Sequence, residues 1–243
     1  MSELNFPTET IDLPSKGLIY PTDHPLSSGK VEMKYMTARE EDILTNQSYI
    51  SKGTVLDKLL DSLIMTEGVN VRDLLVGDKN ALLIAARILG YGKDYNFTYG
   101  GENTTVDLSL LEPKFIHEHL FSKGKNEFEY ELPSTGVKVT FKLFTGKEEL
   151  DIQKELEGLK KINKENSPEL TTRLKYMLLS VNGDSERKVI REFVDNHLLA
   201  RDSRSLRNYV KSIQPDIDLT FTNDSDEEVA IPINLNFFWP DVE

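Results

Sequence analysis

The segment GDKNALLIAARILGYG, residues 77–92, sets the strongest constraint on the fold of this chain. Its centre is apolar almost all round, and a helix of that kind has to be enclosed by other parts of the protein. Asp78 is the predicted N-cap, and Gly90 or Gly92 is the predicted C-terminal stop. We therefore expect a central core helix around which the remaining elements pack.

The residues before this helix predict an arm followed by two helices. Residues 1–35 are punctuated by prolines, which exclude a long helix and favour an extended arm packed along the body: Pro7, Pro14, Pro21 and Pro25. Thr37 and Glu40 predict a capping box, and the helix that it starts is expected to run to about Tyr49. A second helix follows, with apolar residues at three-and-four spacing from Val55 to Ile64.

Beyond the core helix the pattern changes to strands. The stretch YNFTYGGENTTVDLSLL alternates on both sides of a Gly-Gly turn. The stretch EFEYELPSTGVKVTFKLFTG predicts a hairpin with Val137, Val139 and Phe141 on one face. These two segments indicate small antiparallel pieces of sheet.

Residues 145–200 are predicted to return to helix. Thr145 and Glu148 form another capping box, Ser167 followed by Pro168 marks a helix start, and Asn182-Gly183 marks a turn. Asp202 is the predicted cap of the helix DSRSLRNYVKSI. From Asp218 onward the chain reads as strand, acidic turn, strand and aromatic end.

The expected class is α+β, with helical blocks separated by small antiparallel β-hairpins. The chain divides into an extended N-terminal arm (1–35), a helical block (36–94), a β-hairpin region (95–147), a second helical block (148–215) and a C-terminal hairpin with an aromatic tail (216–243). The stretches FTYGGENTTVDLSLL and FTNDSDEEVAIPINL share an order of strand, polar turn and strand. They are either a related local fold or two unrelated hairpins.

Composition excludes several classes of protein. A formal net charge of -12 over 243 residues argues against a protein that coats nucleic acid or an anionic membrane. The absence of cysteine excludes disulfides, thiolate metal sites and a cysteine nucleophile. The start of the chain has neither a basic nor an apolar run, so no signal peptide is expected, and no segment is long and apolar enough to span a membrane.

Catalytic and metal-binding patterns each lack a necessary partner. His117 and His119 are two residues apart with no acidic helix at ligand spacing, which favours a surface pair over a metal site. The acidic segment NDSDEE lacks the glycine and the terminal glutamate of a calcium loop. No phosphate-binding loop or nucleophile elbow is present. We therefore expect a protein that is not an enzyme and that has no cofactor.

Two sets of residues are candidates for binding a partner. Arg201, Arg204 and Arg207 either lay their guanidinium groups along one helix edge for pairing with carboxylates or belong to an ordinary salt-bridged face. The aromatic terminus either covers the protein's own core or anchors in a neighbouring subunit, and it consists of Phe237, Phe238, Trp239 and Pro240. The residues alone leave both pairs of alternatives open.

Six motifs occur in order between Leu13 and Pro240: LPSKGLIYP; MTAREEDILTN with KGTVLDKLL; DLLVGDKNALLIAARILGYG; TGVKVTFKLFTGKEE; ARDSRSLRNYV with IQPDIDL; and IPINLNFFWP. In this order they resemble the baseplate hub proteins of T-even-like contractile-tailed bacteriophages. The resemblance implies a non-enzymatic structural protein of the hub that binds other tail proteins, or alternatively a transient assembly factor absent from the mature virion. It implies location in the host cytoplasm during assembly and in the virion tail afterwards, with a homo-oligomer as a further option.

The resemblance also implies a fold detail. Relatives carry Cys-x-x-Cys pairs in the two hairpins, which makes those hairpins similar to knuckles of a zinc ribbon. The matching turns here read TYGGEN and TNDSDE. We therefore expect two cysteine-less knuckles in which hydrogen bonds and hairpin packing replace the metal.

Overall fold

The predicted core helix is present as one helix of 16 residues, and the other elements are arranged around it. The structure is a computed structural model that describes residues 7–162, 168–222, 228–231, 233 and 235–238. It has the predicted α+β class, with helices and small antiparallel sheets. Most of the buried apolar side chains of the described chain, from both its halves, form one continuous cluster.

The first half of the chain runs from an N-terminal strand pair to a hairpin. Its elements are β1 (Thr8–Asp12), β2 (Lys30–Lys34), α1 (Ala38–Leu44), α2 (Gln47–Ser51), α3 (Val55–Leu63), α4 (Val76–Tyr91), β3 (Asp94–Tyr99) and β4 (Glu102–Asp107). β1 pairs with β2 and β3 pairs with β4, both antiparallel. The expected arm therefore contains a strand pair, and it packs on the body through buried side chains such as Leu13, Tyr20 and Leu26.

The second half follows a similar order. Its elements are β5 (Phe128–Glu131), β6 (Lys138–Phe141), α5 (Gly146–Ile162), α6 (Glu169–Met177), β7 (Leu178–Val181), α7 (Arg187–Asn196), α8 (Ala200–Ile213), β8 (Thr220–Thr222) and β9 (Glu228–Ala230). β5, β6 and β7 form a three-stranded antiparallel sheet, and β8 pairs with β9. Short 3₁₀ segments connect the elements, and the last of them is Leu235–Phe238.

Several predicted boundaries are confirmed. α1 begins after Thr37, whose backbone N–H donates to the Glu40 carboxylate at 2.8 Å. α4 ends at Tyr91 and is followed by Gly92 at the C-cap, with a φ of 85° that glycine adopts without strain. Gly100-Gly101 and Asn182-Gly183 are turns with positive φ at all four residues.

Other expectations are corrected. The predicted helix from Thr37 to Tyr49 is divided, because the Asn46 side chain caps a separate helix by accepting from Ser48 and Tyr49 N–H. The apolar run at β7 lies inside the predicted second helical block, yet it forms a strand because β6 offers a free edge for pairing. Ser167 lies outside the described residues, and α6 begins directly after Pro168.

The sequence predicts Asp78 and Asp202 as the N-caps of their helices, but neither occupies that position in the structure. Each is the third residue of its helix, because Leu75 and Leu199 occupy the N-cap positions of α4 and α8. Both carboxylates are fully buried and accept hydrogen bonds from a turn elsewhere in the chain. They therefore fix tertiary structure rather than a helix end.

The two halves of the chain repeat one set of contacts at the start of the first helix. In the first half, Glu40 accepts from the backbone and hydroxyl of Thr37 and from Lys34 Nζ at 2.9 Å. The second half has the same arrangement at the same spacing, made by Lys142, Thr145 and Glu148. In both halves this box lies directly after the second strand of the half.

A second repeated contact joins a turn to the buried aspartate. The turn LPSKG binds Asp78 through Ser15 N–H (2.9 Å) and the Ser15 hydroxyl (2.7 Å). The turn LPSTG binds Asp202 through Ser134 N–H (2.8 Å) and the Thr135 hydroxyl (2.8 Å). Since a hairpin follows both α4 and α8, the described chain is a structural repeat, and the likeness of the two hairpins extends to the elements before them.

Candidate partner-binding surfaces

The described part of the aromatic terminus is inside the protein. Phe237 and Phe238 are both 0% exposed, and their rings meet edge to face with centroids 5.4 Å apart. The Phe237 ring also contacts Tyr95 of β3 at 4.8 Å. Their assignment to a partner interface is therefore corrected, because these two rings fill the core of their own chain. Trp239 and Pro240 lie outside the described residues.

A buried arginine holds this terminus against the core helix. Arg87 is fully buried in α4, and its Nε donates to the carbonyl oxygen of Phe237 at 2.9 Å. The other guanidinium nitrogens donate to the carbonyls of Gly92 (2.8 Å) and Asp94 (3.1 Å). Sequence reasoning missed this role, although a lone charged residue within ALLIAARILG was a visible signal.

The arginine row of α8 is on the surface. Arg201, Arg204 and Arg207 are exposed, and none of them has a carboxylate partner among the described residues. Arg207 Nε donates only to the carbonyl of Ser203 in the same helix, at 3.3 Å. The alternative of an ordinary salt-bridged face is therefore not what the described residues form.

Asp202 lies between Arg201 and Arg204 in the sequence, but, like Asp78 in α4, it is buried and does not belong to this surface. Burial acts to raise the pKa of Asp202, but the hydrogen bonds from Ser134 and Thr135 outweigh it and lower the pKa. Burial raises the pKa of Asp78, and the hydrogen bonds from Tyr20 and Ser15 offset only part of the increase. Neither carboxylate faces solvent, so neither is available to a partner.

A groove lies beside the arginine row, between α6 and α8. It has a volume of about 280 Å³, and its apolar lining includes Phe144, Leu170, Leu174, Met177 and Val210. Leu170 is 47% exposed at this position. Arg207 lines the same groove, which places an unpaired cation next to apolar surface.

A larger groove lies between the N-terminal strand pair and the loop around Phe115, which is 80% exposed. Three lysines line it, but Lys16 pairs with Glu118 at 2.5 Å and Lys30 pairs with Asp12 at 3.2 Å. Its charge is therefore largely balanced, unlike that of the groove beside α8.

The histidine pair is placed on the surface segment that the sequence indicated. The rings of His117 and His119 have centroids 5.7 Å apart, and His117 also contacts Phe115 at 5.0 Å. Within the described residues no group of three or more His, Asp or Glu side chains is arranged to hold a metal ion. The pair has the geometry of neighbouring aromatic rings.

The β3–β4 and β8–β9 hairpins, for which the sequence resemblance predicts a knuckle-like form, contact each other through aromatic rings. Phe97 of β3 meets Phe221 of β8 edge to face at 5.4 Å, and Tyr99 approaches the same ring at 6.4 Å. The first turn has no thiolate or imidazole, so its residues do not fit zinc. The second turn, residues 223–227, lies outside the described part of the chain. Ring contacts join the hairpins here.

None of the helices in the described ranges combines the length and apolar character needed to cross a bilayer. Comparisons of the chain with protein-family models, with curated proteins and with solved structures found no match.

Proposed function

We propose that this chain is a structural subunit of the baseplate hub of a contractile-tailed bacteriophage, where it binds other tail proteins and catalyses no reaction. On this proposal the chain is made in the host cytoplasm and incorporated into the virion tail. The transient assembly factor is the alternative, and it shares every sequence feature used here.

The observation that carries the proposal is that the motifs resembling this family contact one another. Ser15 of LPSKGLIYP binds Asp78 of DLLVGDKNALLIAARILGYG. Thr135 of TGVKVTFKLFTGKEE binds Asp202 of ARDSRSLRNYV. Phe237 of IPINLNFFWP accepts from Arg87 of the core helix. Motifs that pair in space are expected when a resemblance reflects a shared fold, which supports the use of the family as a guide to function.

An exposed, unpaired basic row on a protein with a net charge of -12 also fits a role in directional binding. Complementary charge selects partners and suppresses contacts between like-charged copies. The described surfaces offer an apolar groove next to that row. This combination suits a subunit that is held in place by neighbours.

The test is quantitative mass spectrometry of purified virions, isolated baseplates and assembly intermediates, normalised to an abundant tail-tube protein. We expect this chain in virions at a fixed copy number, a multiple of three or six, because hub components obey the symmetry of the tail. Presence in intermediates but not in virions would assign the transient factor instead. Absence from both would overturn the proposal.

A further inference from the structure

The groove between α6 and α8 combines an apolar floor with unmatched positive charge. Most of the charged side chains at the groove are neutralised locally: Arg173 binds Glu149 through two hydrogen bonds of 2.8 Å, and Lys142 binds Glu148 at 2.6 Å. Arg207 has no carboxylate partner in the described chain. The groove therefore carries an excess of positive charge at its α8 side.

Helix geometry extends that charge along α8 beside Arg207, which is the one residue of Arg204, Arg207 and Lys211 that lines the groove itself. Residues three and seven positions apart lie near one edge of a helix, so Arg204, Arg207 and Lys211 follow the same side of α8. All three are exposed, and none of them forms an ion pair with any part of the chain that the structure describes. Arg201 lies about 120° further round the helix from Arg207 and faces away from the groove.

The first repeat has an apolar side chain at one position where the second has a charge. α3 and α6 are both nine residues long, and matching them along their length sets Leu59, Leu60 and Leu63 against Arg173, Leu174 and Met177. Leu59 is 0% exposed, whereas the Arg173 side chain is 36% exposed; the other two pairs are buried in both repeats. In the second repeat these three α6 residues line the groove of about 280 Å³.

α4 and α8 also differ in the exposure of equivalent side chains. Leu83, five residues after Asp78, is buried, whereas Arg207, five residues after Asp202, is exposed. In the first repeat α4 also lies directly on Met36, because a Cβ at Gly90 would be 2.5 Å from the Met36 sulfur. The second repeat thus keeps the architecture but replaces an internal contact with an accessible one.

We propose that this groove binds an acidic segment of a partner protein. An apolar side chain of the segment enters between Leu170, Met177 and Val210, and its carboxylates pair with Arg204, Arg207 and Lys211. A fork-shaped guanidinium suits this pairing because it binds a carboxylate through two parallel hydrogen bonds. The inference rests on the proposed function only in taking the occupant to be a protein.

The test uses the full chain and a fluorescein-labelled peptide of about 15 residues, near the length at which isolated helices begin to form. The peptide carries two leucines on one helical face and glutamates elsewhere, and a second peptide has lysine in place of each glutamate. We expect fluorescence anisotropy to show binding of the acidic peptide only. Raising the salt concentration should weaken that binding, because salt screens charges at exposed sites.

Two kinds of variant locate the site. Arg207→Glu with Lys211→Glu should weaken binding about tenfold or more, since two attractive pairs become repulsive. Leu170→Asp should weaken it as well, and all three positions are exposed enough that folding should be retained. Arg191→Glu on α7 is the matched control, because Arg191 is exposed, has no ion pair in the described chain and does not line the groove. It should bind like the unaltered chain.

The proposal is overturned if the acidic peptide fails to bind, if both peptides bind equally, or if the Arg207 and Lys211 variant binds as well as the control. Sedimentation that shows self-association of the chain, lost in the same variant, would assign the groove to a second copy and overturn it too. None of these outcomes depends on whether virions contain the chain, so this inference and the proposed function fail separately.

Discussion

At the scale of single residues, Glu40 shows how a buried charge is stabilised in this fold. Its side chain is fully buried, and its carboxylate accepts from Thr37, from Lys34 Nζ and from the Ser62 hydroxyl at 2.7 Å. Burial acts to raise the pKa of Glu40, but the hydrogen bonds from Thr37, Ser62 and Lys34 outweigh it and lower the pKa to about 2. The ionised form is therefore the one that the folded chain favours.

Glu40→Gln should lower the free energy of unfolding at pH 7 by about 1–3 kcal/mol, because the four hydrogen bonds to the carboxylate lose its charge and the two donors at one of its oxygens then face an amide NH₂. The loss should depend on pH. Since the pKa of Glu40 is about 2 in the folded chain and about 4.3 in an unfolded one, its stabilisation is complete above about pH 5. It disappears as the pH falls from about 4.5 toward 2. Denaturant unfolding at several pH values measures the difference.

Two further variants control for that measurement. Glu148→Gln, at the equivalent position of the second repeat, should change stability with the same sign, because hydrogen bonds also lower the pKa of Glu148. Glu67→Gln should have almost no effect, since Glu67 is exposed and has no hydrogen bond or ion pair in the described structure. A loss for Glu40→Gln that stays constant down to pH 2 would contradict the role given to ionisation.

At the scale of elements, the start of α4 is packed directly against backbone. Gly77 is the second residue of the helix, and a Cβ there would collide with the carbonyl of Pro215 and lie 2.7 Å from Asp216 Cα. Backbone atoms of a following segment cannot rotate away as a side chain does. This glycine therefore allows the connection after α8 to cross the N-terminus of the core helix.

Gly77→Ala should destabilise the chain by about 1–3 kcal/mol or more, as expected for added volume in a close contact. Gly158→Ala is the matched control, because a Cβ at Gly158 of α5 would meet nothing within 4 Å. That substitution should stabilise the chain by about 0.5–1 kcal/mol, since alanine is the better helix former. Thermal unfolding of both variants measures the contrast, and equal effects would show that Gly77 is not closely packed in solution.

Elements with strong local signals were predictable, and those defined by distant partners were not. The capping boxes at Thr37 and Thr145, the apolar stripe of α3 and the Gly-Gly turn all depend on residues within a few positions. Asp78 was placed near the correct helix start but given the wrong role, because its partner Ser15 is 63 residues away. β7 was missed because a short apolar run forms a strand only where a sheet edge receives it.

The candidate surfaces show the same division. The spacing of Arg204 and Arg207 predicts that they lie near one edge of α8, but Arg201, which the sequence grouped with them, lies about 120° from Arg207 around the helix. The groove beside that edge was not predictable, because it is formed by side chains of α4, of the segment after β6, of α5, of α6 and of α8, which the sequence separates widely. For the terminus, sequence patterns left burial and docking equally open, and the rings of Phe237 and Phe238 were assigned only by their contacts with Tyr95 and Arg87.

At the scale of the whole molecule, the two repeats are joined by backbone and by side chains. Val76 N–H donates to the Phe144 carbonyl at 3.1 Å, and Gly146 N–H donates to the Leu74 carbonyl at 3.0 Å. The hairpins of the two repeats meet through Phe97 and Phe221. Because buried side chains of both halves belong to one apolar cluster, neither half has a core of its own.

We therefore expect a single cooperative unfolding transition, although a chain of 243 residues exceeds the size at which two-state behaviour is usual. Leu60→Ala in α3 and Leu174→Ala in α6 truncate equivalent buried side chains, so each should lower the free energy of unfolding by about 2–5 kcal/mol. Both should lower the same melting temperature in calorimetry, with the calorimetric and van't Hoff enthalpies remaining equal. If each variant instead shifted only one of two resolved transitions, the halves would unfold separately, and the contacts between Val76 and Phe144 and between Phe97 and Phe221 would join two domains rather than complete one.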